Sequence, residues 1–198
     1  DPDELSYPAY LWRWVRERLS TCPIPTIAAV HGTAVAGGFE LTLACDLVVL
    51  ADDAHYGDGH TIWGLVPSGG ASQRLSRLVG PRLASWMLFS GDPIAPDQAK
   101  TYGLVNEVVP AGQVLATSRA MARKLAERGP AAIAAMKQAM RDGLDAGALS
   151  DGLDIEKGLL MSHMSGTEPA VGITAFLGRT NPAFSRETQS NRSPRPPT

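Results

Sequence analysis

Two short β-rich apolar runs, TIAAVHG at 26–32 and DLVVLAD at 46–52, flank a segment that opens on a glycine pair and reads as a helix, FELTLACD. Runs this short and this apolar suit buried strands. A helix set between them directs the chain toward an α/β core. The alternation continues along the sequence. Leu11, Trp14, Val15 and Leu19 fall at helical spacing, which predicts a helix from Pro8 to Cys22 that Pro23 and Pro25 stop. TAVAGG reads as a turn. GDGHTIWGLVPSGG, 57–70, holds five glycines and a proline and reads as a loop or an irregular strand. ASQRLSRLVG and PRLASWMLFSG read as two short helices. APDQAKTYG is a third, starting at Asp97 and stopping at Gly103, and LVNEVVP is a strand. From Gln113 to about Leu177 the pattern is nearly all helix, with breaks at Gly129-Pro130, near Ser150 and near Thr167-Glu168-Pro169. Residues 1–7 read as a loop. The polar, proline-rich SRETQSNRSPRPPT reads as a disordered tail.

Composition narrows the partners. The 198 residues are 44% hydrophobic and 19% charged, enough for one good core. A net charge of −2 gives no basic field for nucleic acid or an anionic membrane surface. Two cysteines, Cys22 and Cys45, make no disulfide framework, so reduced thiols and a cytoplasmic setting are expected. No apolar stretch reaches the ~18 residues of a membrane-spanning helix. The start, DPDELSYPAYLWRW, is too acidic and too broken for a signal peptide and lacks an initiator methionine.

Chemistry is most legible at AVAGGFELTLACD, 34–46, where one acid stands inside an apolar run. Gly37 and Gly38 lie at the junction into a helix. Backbone N–H groups there have no intrahelical partner and carry partial positive charge, and glycine lets a ligand approach closely. Such donors suit an oxyanion. Glu40, one turn on, is placed to act as a general base or acid. On these residues alone, a solvent-facing helix-start acid after a tight turn is the account to prefer.

Other residues carry less. PSGGASQRL, 67–75, lacks the GK[ST] ending of a phosphate loop. Ser68, His60 and Asp58 have the residue types of a hydrolase triad, without a nucleophile-elbow pattern. His31 reads as a satisfied near-core histidine. His55 and His163 have no metal-binding spacing, so no metal is expected. Cys45 reads as core within its helix, and Arg74 and Arg77 read as solvated helix-face cations. Trp63, in the glycine-rich stretch, either lines a pocket or packs.

Several stretches together resemble the enoyl-CoA hydratase/isomerase (crotonase) family. They are PTIAAVHGTAVAGGFELTLACDLVVLADDAHYG, GLVPSGGASQRLSRLVGPRLASWMLFSGDPIAPDQAKTYGLVNEVVP and the closing GITAFLGRTNPAF. The likeness runs from about Pro25 to Phe184. It implies an α/β, crotonase-like spiral of ββα units over 1–110. A helical trimerisation region over 111–184 and the tail over 185–198 would follow. It implies a homotrimer or dimer of trimers and an acyl-CoA thioester substrate, with no cofactor beyond the coenzyme A of that substrate. The reaction implied is reversible hydration of a 2-enoyl-CoA, that of a hydro-lyase in acyl-CoA metabolism. Isomerisation, decarboxylation, thioester hydrolysis or a non-catalytic binding role are the alternatives.

By the same resemblance Gly37 is an oxyanion donor and Glu40 the first catalytic acid. Gly38, Trp63, Pro67, Ser68 and Gly69 stand near the substrate, with a serine at 68 where glycine is common. Phe176 and Arg179 stand where family members meet coenzyme A. His60 occupies the position of a second glutamate. It either replaces that acid as a proton carrier or hydrogen-bonds within the loop, and Asp58 is a weaker candidate for the role. The family also carries an Ala/Gly-rich segment with a first oxyanion donor ahead of the stretch that Pro8–Cys22 matches. The sequence is therefore expected to be a fragment.

Overall fold

A computed structural model describes residues 13–184 of the chain. The predicted loop over 1–7, the first part of the helix predicted over 8–22 and the tail over 185–198 lie outside the described residues. The rest of that first helix includes a π-helical turn, Val15–Leu19, ended where the N–H and Oγ of Ser20 both donate to the Val15 carbonyl.

The strands are β1 (Ile27–Val30), β2 (Thr33–Val35), β3 (Leu47–Ala51), β4 (His55–Gly57) and β5 (Glu107–Val109). The α-helices are α1 (Gly37–Ala44), α2 (Ala71–Val79), α3 (Pro81–Ser90), α4 (Pro96–Thr101), α5 (Val114–Ala126), α6 (Pro130–Leu144), α7 (Leu149–Met164) and α8 (Glu168–Leu177). Strands β1, β3 and β5 form one parallel sheet in that order, with Ile27 opposite Leu47 and Val49 opposite Glu107. Strands β2 and β4 form a second parallel sheet, with Ala34 opposite Tyr56. Two turns of chain therefore each lay one strand in the first sheet and the next in the second, then return through helix, and β5 adds a third strand to the first sheet. This is a spiral of ββα units, the α/β arrangement expected.

The core follows from this winding. β3 is the central strand, and its LVVLA run is apolar throughout because both of its faces are covered. Phe39 and Leu43 of α1, Leu75 of α2, Met87 of α3 and Val114 of α5 join the same cluster. Asn106 extends the ladder beyond β5. Its N–H donates to the Val48 carbonyl and its Oδ1 accepts the Val48 N–H at 2.8 Å.

Three local readings change. β2 and β4 are strands of three residues each. β2 lies in the stretch read as a turn, and β4 covers His55 and Tyr56, which were given no state, and Gly57, which opens the stretch read as a loop or an irregular strand. Their composition is turn-like, and pairing with each other decides their state. α4 begins at Pro96, after Ala95, so Asp97 lies in the first turn rather than at the cap. The break read near Ser150 lies before Leu149, and Ser150 is already helical.

A buried polar link sets α1 against β4. Thr42 Oγ1 donates to the Phe39 carbonyl at 2.7 Å, so the Tyr56 hydroxyl, 2.7 Å from Thr42 Oγ1, is the donor in their bond. The Tyr56 ring meets Phe39 edge-on, centroids 4.9 Å apart. Burial, partly offset by the Thr42 bond, pushes the Tyr56 pKa from 10.0 up to about 12. Folding thus favours the neutral phenol. Its contribution is complete below pH 10 and is lost as pH rises from 10 through 12. Denaturant titrations at pH 9 and pH 12 are expected to show a loss on the order of 2–3 kcal/mol. Tyr56→Phe is expected to show a correspondingly smaller loss, and equal losses in the two proteins would refute the assignment.

The chain divides into two compact units, Asp1–Ala122 and Arg123–Thr198. In the second, α6 and α7 approach at Gly143 and Gly152, where a Cβ on either residue would meet the other's backbone at 3.6–3.7 Å. α6 has no acid in its first turn and no side-chain cap from its own N-cap residue. Glu168, at the start of α8, supplies one from another helix. Its two carboxylate oxygens accept the N–H groups of Ala131 and Ala132 at 2.8 and 3.0 Å. The carboxylate also meets the positive end of the α6 dipole. Gly129 leaves room for it, since a Cβ there would fall 2.5 Å from Glu168 Oε2.

Candidate active site

The start of α1 is built around a strained residue. Ala36, just before the helix, holds φ 49° and ψ −122°, a region glycine enters freely and alanine rarely. Conformations of this kind cost about 1–3 kcal/mol and persist where surrounding bonds impose them. Here the Ala36 N–H donates to the Asp58 carbonyl at 2.7 Å, and the Ala36 carbonyl accepts the Glu40 N–H at 3.0 Å. Gly37 follows, buried, as the first helical residue, so its N–H precedes the intrahelical ladder. Gly38 is half-buried and faces open space, with nothing within 4 Å of a Cβ built on it.

Glu40 does not face solvent. It is 0% exposed. Its Oε1 accepts the Ala71 N–H at 3.1 Å, at the first residue of α2. The positive end of a second helix thus meets this carboxylate. Gly70 turns the chain into α2 at φ 110°, and Gly69 lies flat against the acid. A Cβ on Gly69 would sit 2.9 Å from both Glu40 Cδ and Oε2. Glu40 Oε2 has no hydrogen-bond partner. Facing it, 4.0 Å away, is His60 Nε2.

His60 opens a 3₁₀ turn, His60–Trp63, bounded by Gly59 and Gly64 in left-handed conformations. The turn is fastened to α3, where Thr61 Oγ1 donates to the Leu88 carbonyl at 2.9 Å. The imidazole is 11% exposed, and its Nδ1 lies 3.0 Å from Oδ1 of Asp58, which is 0% exposed. The His60 N–H donates to Asp58 Oδ2 at 3.3 Å. Asp58, His60 and Glu40 thus form an acid–imidazole–acid series. With Nδ1 protonated toward Asp58, Nε2 and Glu40 Oε2 are two acceptors facing each other. Their separation is too long for a direct hydrogen bond, and one water with two O–H protons satisfies both.

The structure brings Glu40, His60 and Gly69 together, and Gly37 opens the helix that carries Glu40. Pro67 and Ser68 are half-buried in the loop leading to Gly69. Trp63 is 79% exposed, beside the exposed Ile62, Leu65 and Val66. Phe176 and Arg179 belong to the second unit, where Phe176 is exposed and Arg179 holds φ 52°.

Several readings are corrected. His31 is exposed where the chain leaves β1 through Gly32 at φ 62°, not near the core. Arg74 is half-buried and donates to Ser20 Oγ at 2.7 Å, bracing α2, whereas Arg77 stays exposed and bonds Gln73 of its own helix. Cys45 is half-buried and extended at the end of α1. Ser68 forms no triad, because the His60 nitrogens face Asp58 and Glu40. Among the described residues no His/Cys/Asp/Glu group fits a metal ion, and no helix is long and apolar enough to cross a membrane.

Sequence reasoning missed Ala36 and the Ala71 N–H and ranked Asp58 low. An alanine carries no mark of positive φ. The glycine pair ahead of α2 was a signal for the Ala71 donor, and Asp-x-His spacing was one for Asp58.

Comparison with known proteins places the chain in a family. The model of the enoyl-CoA hydratase/isomerase family matches residues 8–187, and the chain belongs to that family. Among its relatives is the 2,3-dehydroadipyl-CoA hydratase of Escherichia coli K12, 40% identical over 167 residues, 84% of this chain and 65% of the relative. Another is the probable mitochondrial enoyl-CoA hydratase 2 of Arabidopsis thaliana, 34% identical over 172 residues, 87% of this chain and 57% of the relative. The chain thus spans 57% to 65% of the length of these two relatives. A solved enoyl-CoA hydratase from Bacillus anthracis superposes with a TM-score of 0.86 at 31% identity, covering 93% of this chain and 71% of that one. The fold is the crotonase fold.

Proposed function

We propose that the protein adds water reversibly to the double bond of a 2-enoyl-CoA thioester. The observation that carries this reading is the pair of facing acceptors, Glu40 Oε2 and His60 Nε2, 4.0 Å apart beside the helix start at Gly37. In this reading the thioester oxygen accepts the Gly37 N–H, which stabilises the enolate as it forms. A water donates to Glu40 and His60. Its oxygen bonds to the β-carbon while the π electrons move toward the thioester oxygen. One proton leaves the water for the Glu40–His60 pair and one passes from the pair to the α-carbon, so the pair ends as it began. Glu40 takes the water's proton as base. That proton returns to the new hydroxyl oxygen, which gives up its other proton to His60 Nε2, and His60 carries that one to the α-carbon.

Gly38, Pro67, Ser68 and Gly69 shape the reacting end, and the exposed apolar run from Ile62 to Val66 with Trp63 receives the acyl chain. Phe176 and Arg179 of a neighbouring subunit meet the coenzyme A that the substrate carries. The exposed apolar residues of the helical unit, Leu149, Leu153 and Leu160 among them, suit assembly as a homotrimer or dimer of trimers. Cys22 and Cys45, which form no disulfide, suit a reducing, cytoplasmic compartment. A histidine at the family's second acid position also supports a second reading, double-bond isomerisation through the same enolate.

The test is mass-spectrometric and chromatographic analysis of the protein with a panel of short and medium 2-enoyl-CoA esters. A product heavier by one water is expected. A rearranged product of unchanged mass would favour the isomerase reading. Unchanged esters throughout would overturn both.

A further inference from the structure

Glu40 and His60 have tasks in the proposed reaction, and one buried acid beside them has none. The hydrogen-bond partners of the Asp58 side chain among the described residues are both from His60, Nδ1 at 3.0 Å and the donating backbone N–H at 3.3 Å. Its own carbonyl accepts the Ala36 N–H at 2.7 Å. Asp58 therefore holds the imidazole with its side chain and the strained residue ahead of Gly37 with its backbone.

We propose that Asp58 is a positioning residue that fixes His60 in the Nδ1-protonated tautomer, leaving Nε2 unprotonated toward Glu40 Oε2. The hydrogen bond made by one ring nitrogen decides which nitrogen carries the proton. A carboxylate only accepts, so it places the proton on Nδ1. If the proton sat on Nε2, that nitrogen would donate toward Glu40 Oε2, and the position for a water between them would close. The tautomer assignment stands on geometry alone. Its effect on turnover rests on the hydratase reading.

Asp58→Asn separates the two. The amide keeps one oxygen for the His60 N–H and turns its NH₂ toward Nδ1, which reverses the tautomer without removing volume. Nitrogen-15 NMR of histidine-labelled protein reads each ring nitrogen, with His60→Gln assigning the signals. The expected result is Nδ1 protonation in the native protein and Nε2 protonation in Asp58→Asn. kcat should fall by on the order of 10²–10⁴-fold, with KM within twofold and the melting temperature little changed. Asp58→Ala is expected to lose the Nδ1 preference as well. Nε2 protonation in the native protein, or an unchanged tautomer and kcat in Asp58→Asn, would overturn the proposal. A tautomer switch in a protein that hydrates no ester would support the placement of Asp58 and remove the hydratase reading instead.

Discussion

Glu40→Gln is expected to lower kcat on 2-enoyl-CoA esters by about 10²–10⁴-fold, with KM little changed and the fold intact. The substitution is isosteric, and the amide oxygen still accepts the Ala71 N–H where Glu40 Oε1 does at 3.1 Å. What changes is the other atom. Oε2, buried and unpartnered, becomes an NH₂ that donates toward His60 Nε2, 4.0 Å away. The facing acceptors are lost, and so is the base. A buried carboxylate oxygen without a partner costs free energy, of about 1–3 kcal/mol or more. The variant is therefore expected to melt at the native temperature or above it. Turnover close to native would remove Glu40 from the reaction. A large fall in melting temperature would show that its role is structural.

Gly69→Ala is expected to cost about 10²-fold in turnover by a different route, displacement of the same acid. The added methyl would stand 2.9 Å from Glu40 Cδ and Oε2 and 3.0 Å from its Cβ, closer than real Cβ atoms come. Glu40 has little room to yield, because its Oε1 is held by the Ala71 N–H two residues beyond the new methyl. Either that bond breaks or the loop ahead of α2 shifts. Gly112→Ala is the control, since a Cβ at Gly112 meets nothing within 4 Å. It is expected to keep native turnover and melting temperature. Equal turnover in the two variants would show that the contact at Gly69 has no influence on the site.

The helices and the apolar strands were legible because each declares itself within its own residues. LVVLA reads as a buried strand, and GGFELTLA as a helix opening on glycine. β2 and β4 do not, since Thr33–Val35 and His55–Gly57 become strands by pairing with one another across the chain. In the site, the glycine pair and the isolated acid marked the start of α1. The carboxylate's anchor on α2 and the reach of Asp58 to both His60 and Ala36 depend on segments brought together in space. Gly69 was legible as a residue near the substrate. Its contact with Glu40 was not, because a missing side chain does not say what fills its place.

The Glu168 carboxylate has a consequence for the order in which the helical unit matures. It accepts from Ala131 and Ala132, which precede it by 37 and 36 residues. On a ribosome, α6 and α7 are both synthesised before the group that completes the start of α6. Until Glu168 arrives, two N–H groups at that start wait on water. The first turn of α6 therefore stays without this cap until α8 begins, and a nascent chain halted before residue 168 carries a hairpin with one uncapped end.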